Sequence, residues 1–309
     1  MKISTLLVLI ITGLSTFGQK KQVCFSFDDL PVVSYGITDQ GYQKNLMNKL
    51  ILSLKKNKIP AIGFVNEIKL FDNKNMSAFQ FGLLKSWINN NLEIGNHTYT
   101  HSDYNTTTFN DYSLDILKGE AVTKKILKEK GKMIKYFRHP YLHVGNTKAK
   151  ADSLSDFLVN HGYTVAPVTI DNEDYLFALA YKRAQDKKDY PLKLKIGTDY
   201  INYMEKKVQY FEKEANRLFG RDIRQILLVH ASSLNSDYVD SLAFMFRRNN
   251  YEFISLDKAL EDNAFKSEIS KYGNWGISWI DKWAMSQGKK GDFFKDEPIT
   301  PDYIKKLAE

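Results

Sequence analysis

Seven short apolar runs alternate with amphipathic stretches along this chain, and five of them stop at groups that can do chemistry. The five end at Phe27, Gly95, Phe137, Ile170 and Val229, and Asp28-Asp29, Asn96-His97, Arg138, Asp171 and His230 follow them. Strands alternating with helices imply parallel strands joined by right-handed crossovers. Seven of them predict an α/β fold, a distorted (β/α) barrel with its site at the C-terminal strand ends. No helical bundle would place ionisable groups at the end of one apolar run after another.

Turn residues and apolar periodicity set the element boundaries. Strands are predicted over 22–27, 61–65, 92–95, 136–138, 163–170, 224–230 and 251–255, the first halted by Pro31. Helices are predicted over 42–57, 78–90, 148–160 and 238–249, with one long helix over 111–130. Two more, 175–186 and 198–218, flank a Lys/Asp-rich connector that contains Pro191. His161-Gly162 reads as a helix cap.

Both ends of the chain depart from this pattern. Residues Met1 to Gly18 read as a signal peptide: Lys2, an apolar core from Leu6 to Leu14, then small residues at Thr16 and Gly18. That core is too short to span a bilayer, so the mature chain is expected to carry no transmembrane segment and to be secreted or periplasmic. Residues 19–260 are then expected to form the main domain and 261–309 a helical tail packed on it. Trp275, Trp279 and Trp283 recur every four residues and predict one buried stripe in that tail.

Cys24 is the only cysteine, which rules out an internal disulfide and a thiolate metal site, and its apolar neighbours predict a core residue. The formal charge of +8 is spread over predicted helices and forms no nucleic-acid-type block.

The chemistry centres on His97 and His101. Two imidazoles plus one carboxylate make three protein ligands, and the open fourth position marks a catalytic zinc-like site. Asp28 and Asp29, adjacent on an extended strand, are expected to point in different directions. One would bind the ion and the other would face the attacking water. A metal lowers the pKa of water from about 15.7 towards about 7, supplying a nucleophile at neutral pH. Protonating a leaving amine calls for an acid on the far side of the carbonyl. His230, with an ordinary pKa of about 6.5, suits that task.

Five segments resemble, in order, the motifs of polysaccharide deacetylases, the fourth family of carbohydrate esterases. They are Phe27-Asp28-Asp29-Leu30-Pro31, His97-Thr98-Tyr99-Thr100-His101, Arg138-His139-Pro140-Tyr141, Asp171-Asn172-Glu173-Asp174-Tyr175 and Leu228-Val229-His230. The resemblance implies that Asp28 is the catalytic base and that Asp29, His97 and His101 hold one divalent ion, zinc. It implies that Arg138 holds Asp28, that Asp174 orients Arg138, and that the Tyr141 backbone N–H binds the oxyanion. His230 would be the acid, and Leu228 would line the acetyl pocket. The implied substrate is an N-acetylated amino-sugar polysaccharide such as chitin or peptidoglycan. An O-acetyl glycan esterase, a cyclic amide hydrolase and a non-catalytic carbohydrate-binding relative are the alternatives.

Two departures from the family pattern stand out. Leu30 occupies a position that is commonly glycine, so a narrowed cleft or an altered loop path is expected there. The Asp174 to His230 span is also longer than usual and is expected to shape substrate access. Of the other histidines, His139 is expected to point away from the metal, and His143 is the nearest decoy ligand.

Overall fold

The computed structural model describes residues 20–309, so the signal peptide expected over 1–18 lies outside the described residues. Its central strand is β1 (Lys21–Val33), an almost continuous apolar run buried on both faces. Such a run suits the middle of a parallel sheet, where helices cover both sides.

In chain order there follow α1 (Gln40–Lys56), β2 (Ile62–Val65), the hairpin β3 (Phe71–Asp72) and β4 (Asn75–Met76), α2 (Ala78–Asn89) and β5 (Glu93–Asn96). Next come α3 (Phe109–Lys118), α4 (Ala121–Glu129), β6 (Tyr136–Phe137), α5 (Lys148–Asn160) and β7 (Thr164–Val165). The rest is α6 (Asp174–Asp186), α7 (Tyr190–Phe219), β8 (Gln225–Ser232), α8 (Ser233–Arg248), β9 (Tyr251–Phe253), α9 (Leu256–Leu260), α10 (Trp279–Ser286) and α11 (Asp302–Ala308).

Seven strands form one parallel sheet in the order β7-β6-β5-β2-β1-β8, with β9 also on β1. Helices surround this curved half-barrel, the distorted (β/α) barrel that the alternation predicts. The register sets Asp28 opposite His230 and Asn96 opposite Phe137, so the marked residues share one edge. Among the described residues, no helix is long and apolar enough to cross a membrane.

Several boundaries differ from expectation for local reasons. β1 continues past Pro31 to Val33, because its register against β8 resumes at Val33↔Ser232 after a shift. The predicted strand over 163–170 pairs only at Thr164–Val165, with one bridge from Ile170 to Leu227. The predicted long helix over 111–130 is two helices broken at Gly119, where a Cβ would lie 2.4 Å from the Thr98 carbonyl carbon. Pro191 sits in the first turn of α7, where its missing N–H costs nothing, and Asp189 caps that helix.

The three tryptophans do not share one helix. Trp279 and Trp283 are buried on α10, whereas Trp275 precedes it and is 42% exposed. The tail is also more than a cover: Trp279 N–H donates to Val168 and Ser278 Oγ donates to Thr169, both at the sheet's edge. Cys24 is fully buried, as expected.

Candidate active site

β1 carries both aspartates, and it does not run straight there. Its register shifts between Phe27 and Leu30 against β2, and Asp29 takes φ +66°. This bulge overrides the alternation expected of neighbouring side chains. Instead of diverging, Asp28 Oδ2 and Asp29 Oδ1 each come to 3.7 Å from His97 Nε2.

The two histidines lie on the loop after β5. Asn96 Oδ1 accepts from the Thr98 N–H at 2.7 Å, and Thr98 Oγ1 accepts from the His101 N–H at 2.9 Å. Thr98 and His101 both have left-handed backbones, φ +63° and +60°. The turn brings His101 Nε2 to 3.7 Å from Asp29 Oδ1, with the rings of His97 and His101 4.9 Å apart.

This set fits a divalent ion. One ligand atom each from Asp29, His97 and His101 lies within 4.8 Å of the others. Tetrahedral zinc with bonds of about 2.0–2.1 Å needs ligands roughly 3.3 Å apart, a small inward adjustment. Asp29 Oδ1 is buried without a hydrogen-bond partner, an orphan that a cation would satisfy. His97 Nδ1 is bonded to the Arg138 carbonyl at 2.8 Å, which turns Nε2 towards the site.

The electrostatics agree with that fit. Burial lowers His97 and His101 to a pKa of about 4, so both rings are neutral, as ligands must be. For Asp29, burial works against the charge. Lys69 and the nearby imidazoles more than offset it and hold the carboxyl well below its usual range. Lys69 Nζ donates to the Asp29 carbonyl at 2.8 Å and stands 3.9 Å from its carboxylate.

Asp28 behaves differently. Burial pushes its pKa up to about 6, against the pull of Arg138 and His230. Arg138 is fully buried, with Nη1 4.0 Å from Asp28 Oδ2, Nη2 donating to Ser26 Oγ at 2.8 Å, and the guanidinium over the Phe64 ring.

The expectation that Asp174 orients Arg138 does not hold. Asp174 opens α6 beside β8, whereas Arg138 leaves β6 on the other side of β1. Its carboxylate holds His230 instead: Oδ1 meets Nδ1 at 2.7 Å and Oδ2 accepts the His230 backbone N–H at 2.8 Å. Asn235 donates to Asp174 Oδ2 at 2.7 Å and to the His230 carbonyl at 2.8 Å. Burial disfavours a charged His230, but Asp174, helped by Asp29 and Asp28, raises its pKa to about 9.

Residues 17–164 match the family model described as polysaccharide deacetylase. These residues form a polysaccharide deacetylase domain. It is thus a hydrolase of the deacetylase type. A search of curated proteins found no match.

Among solved structures, the fold is shared with a polysaccharide deacetylase from Bacillus cereus (18% identity, TM-score 0.51, 77% of this chain and 92% of that one). It is also shared with a chitin deacetylase from Colletotrichum lindemuthianum (18%, 0.50, 79% and 89%). A family 4 pseudoenzyme from Bacillus anthracis lies further off (15%, 0.45, 78% and 66%).

Asp28, Asp29, His97, His101, Tyr141, Leu228 and His230 line a cleft of about 780 Å³, and Arg138 and Asp174 lie buried behind it. Leu228 forms part of its wall beside His230, and the Tyr141 ring, 54% exposed, packs 4.5 Å from His101. The Tyr141 backbone is left-handed, φ +55° and ψ 12°, and begins a tight turn. His139 points away, buried between Phe137 and Trp279. His143 lines the cleft but pairs with Asp103 at 2.7 Å and stands outside the ligand cluster.

Leu30 does not narrow the cleft. It is fully buried over Gly63, in the core beneath the site.

The motifs do not reveal every contributor. Ser26, Asn235 and Lys69 act through partners distant in sequence, although the polar Ser26 inside an apolar strand was a visible signal. One cleft wall comes from α7 and the tail: Lys207, paired with Glu297, then Pro298, Ile299 and Gly276. The insertion and the tail thus both reach the substrate side of this deacetylase fold.

Proposed function

We propose that this chain removes acetyl groups from an N-acetylated amino-sugar glycan of the chitin or peptidoglycan type, outside the cytoplasm, using one divalent ion, zinc. The observation that carries the reading is the opposition of two ionisable systems in one cleft. Asp29, His97 and His101 cluster on one side, and the His230–Asp174 pair faces them beyond Asp28.

A bound ion would supply Lewis acidity and bring the pKa of water towards about 7. Asp28 takes the proton from the attacking water, and its raised pKa makes it a stronger base than an ordinary aspartate. Arg138 restrains Asp28 through its charge, and Ser26 anchors Arg138. The Tyr141 backbone N–H receives the developing oxyanion, a contribution of about 10²–10³-fold for such a donor. His230 delivers a proton to the departing amine. Asp174 keeps that ring protonated and oriented, and Leu228 walls the acetyl methyl.

The test is acetate release from N-acetylglucosamine oligomers and from acetylated xylan, with and without chelator. Release from the amide substrate, lost on chelation and restored by zinc, is the expected result. Release from the ester alone would move the reading to O-deacetylation. Activity that survives complete metal removal would end it.

A further inference from the structure

The mechanism leaves a second histidine–carboxylate pair in the same cleft without a task. His143 Nδ1 meets Asp103 Oδ1 at 2.7 Å, and Asp103 sits two residues after His101 on the same loop.

A file of aromatic rings leads to it. The His101 ring is 4.5 Å from Tyr141, and Tyr141 is 5.8 Å from His143 with the rings tilted by 35°. His143 therefore stands one ring beyond the candidate ligands.

Its chemistry follows from its partner. A carboxylate only accepts hydrogen bonds, so Asp103 draws the imidazole proton to Nδ1. Nε2 is the nitrogen left beside Gly276, which lines the same cleft. Asp103 is itself steadied by the Asn105 N–H at 2.8 Å.

His143 lines the cleft, and its side chain is 15% exposed. Gly276 of the tail passes beside it, and a Cβ there would lie 3.4 Å from His143 Nε2 and 2.1 Å from the Tyr141 carbonyl oxygen. Only a glycine lets the tail close over the turn without filling the space before Nε2. The exposed Tyr141 ring beside it offers an apolar face. A ring face next to one fixed acceptor suits a pyranose, which presents C–H groups on its faces and hydroxyls at its edge.

We propose that His143, oriented by Asp103, is a specificity-determining residue. Its Nε2 accepts a hydrogen bond from a hydroxyl or acetamide N–H of the sugar unit next to the one being deacetylated, while Tyr141 packs on that unit's face. This rests on the amino-sugar deacetylase reading above. The site holds a neighbouring unit and takes no part in bond breaking.

The test separates binding from chemistry. Affinity for an N-acetylglucosamine tetramer is measured by calorimetry on zinc-loaded protein carrying Asp28→Asn, which removes turnover. Adding His143→Ala should weaken tetramer binding about 10-fold. His143→Gln, whose Oε1 falls near the place of Nε2, should recover a good part of it.

In the otherwise wild-type enzyme, His143→Ala should raise KM for the tetramer and leave kcat within about 3-fold. Zinc content should not change. Tetramer binding that is the same with and without His143 would overturn the subsite alone. Zinc loss in His143→Ala would make the residue a ligand and overturn it as well. A parent protein that binds no tetramer would overturn the amino-sugar reading and the subsite together.

Discussion

Six non-glycine residues at the site, Asp29, Tyr35, Thr98, His101, Tyr141 and Leu142, hold left-handed backbones. Each costs of order 1–3 kcal/mol and persists only where its surroundings over-determine it. Here the surroundings are buried hydrogen bonds from Asn96 and Thr98 and the close passage of Gly276. The return is convergence: regular strands would send Asp28 and Asp29 to opposite faces.

The same residues predict a pH profile. In the proposed mechanism Asp28 acts ionised and has its pKa raised to about 6, and His230 acts protonated and has its pKa raised to about 9. kcat/KM should therefore rise through about pH 6 and fall through about pH 9, and a bound cation would draw both limbs lower. Asp174→Asn removes the charge that holds up His230, so the alkaline limb should move down by at least one pH unit. Steady-state rates across pH check this, and an unmoved alkaline limb would remove His230 from the acid role. Stability follows the same sign. His230 has a folded pKa above its ordinary value of about 6.5. Its pairing thus contributes fully below about pH 6.5 and is lost as pH rises through about 9.

At the scale of elements, the bulge in β1 depends on what lies beneath it. Leu30 follows Asp29 and packs over Gly63 of β2, where a Cβ would come within 2.1 Å of Leu30 Cδ1. Gly63→Ala should overpack this contact and cost about 1–3 kcal/mol in urea unfolding. Because Leu30 anchors the strand end that bears Asp29, the proposed ligand, zinc affinity should fall in the same variant. Unchanged stability and zinc affinity would show that the bulge is held from elsewhere. Gly119 acts similarly from the other side, breaking α3 from α4 so that the Thr98–Tyr99 backbone can pass.

At the scale of the whole molecule, the tail behaves as part of the domain. Trp283 is 1% exposed and meets Phe219 and Phe265 edge-on, while Ile280 and Ile304 are fully buried. Trp283→Ala should cost about 3–5 kcal/mol by chemical denaturation. A chain ending at Lys266 should lose cooperative unfolding, since α7 would expose its apolar face. A fully cooperative truncated chain would show that the tail is dispensable for the domain's folding. Charge is distributed with similar purpose: the chain carries +8 overall, yet Asp28, Asp29, Asp171, Glu173 and Glu297 line the cleft. An ion at the ligand cluster offsets part of that local charge.

Much of this was legible along the chain. Alternating apolar runs determine a parallel α/β sheet because strand and helix periods differ and crossovers have one hand. The residues that close those runs reach one edge because parallel strands all end on the same side. Their identity then names a cluster of one aspartate and two histidines with a histidine opposite. What only the tertiary structure decided is which distant groups meet. Asp174 serves His230 and not Arg138, because α6 starts beside β8 and β6 lies across the sheet. Leu30 enters the core because β1 bulges, and the last forty-odd residues wall the cleft because their helices pack on α6 and α7. Local sequence sets each element's period and stop signals, but contacts between elements follow from packing. Packing is a property of surfaces that do not exist until the sheet has formed.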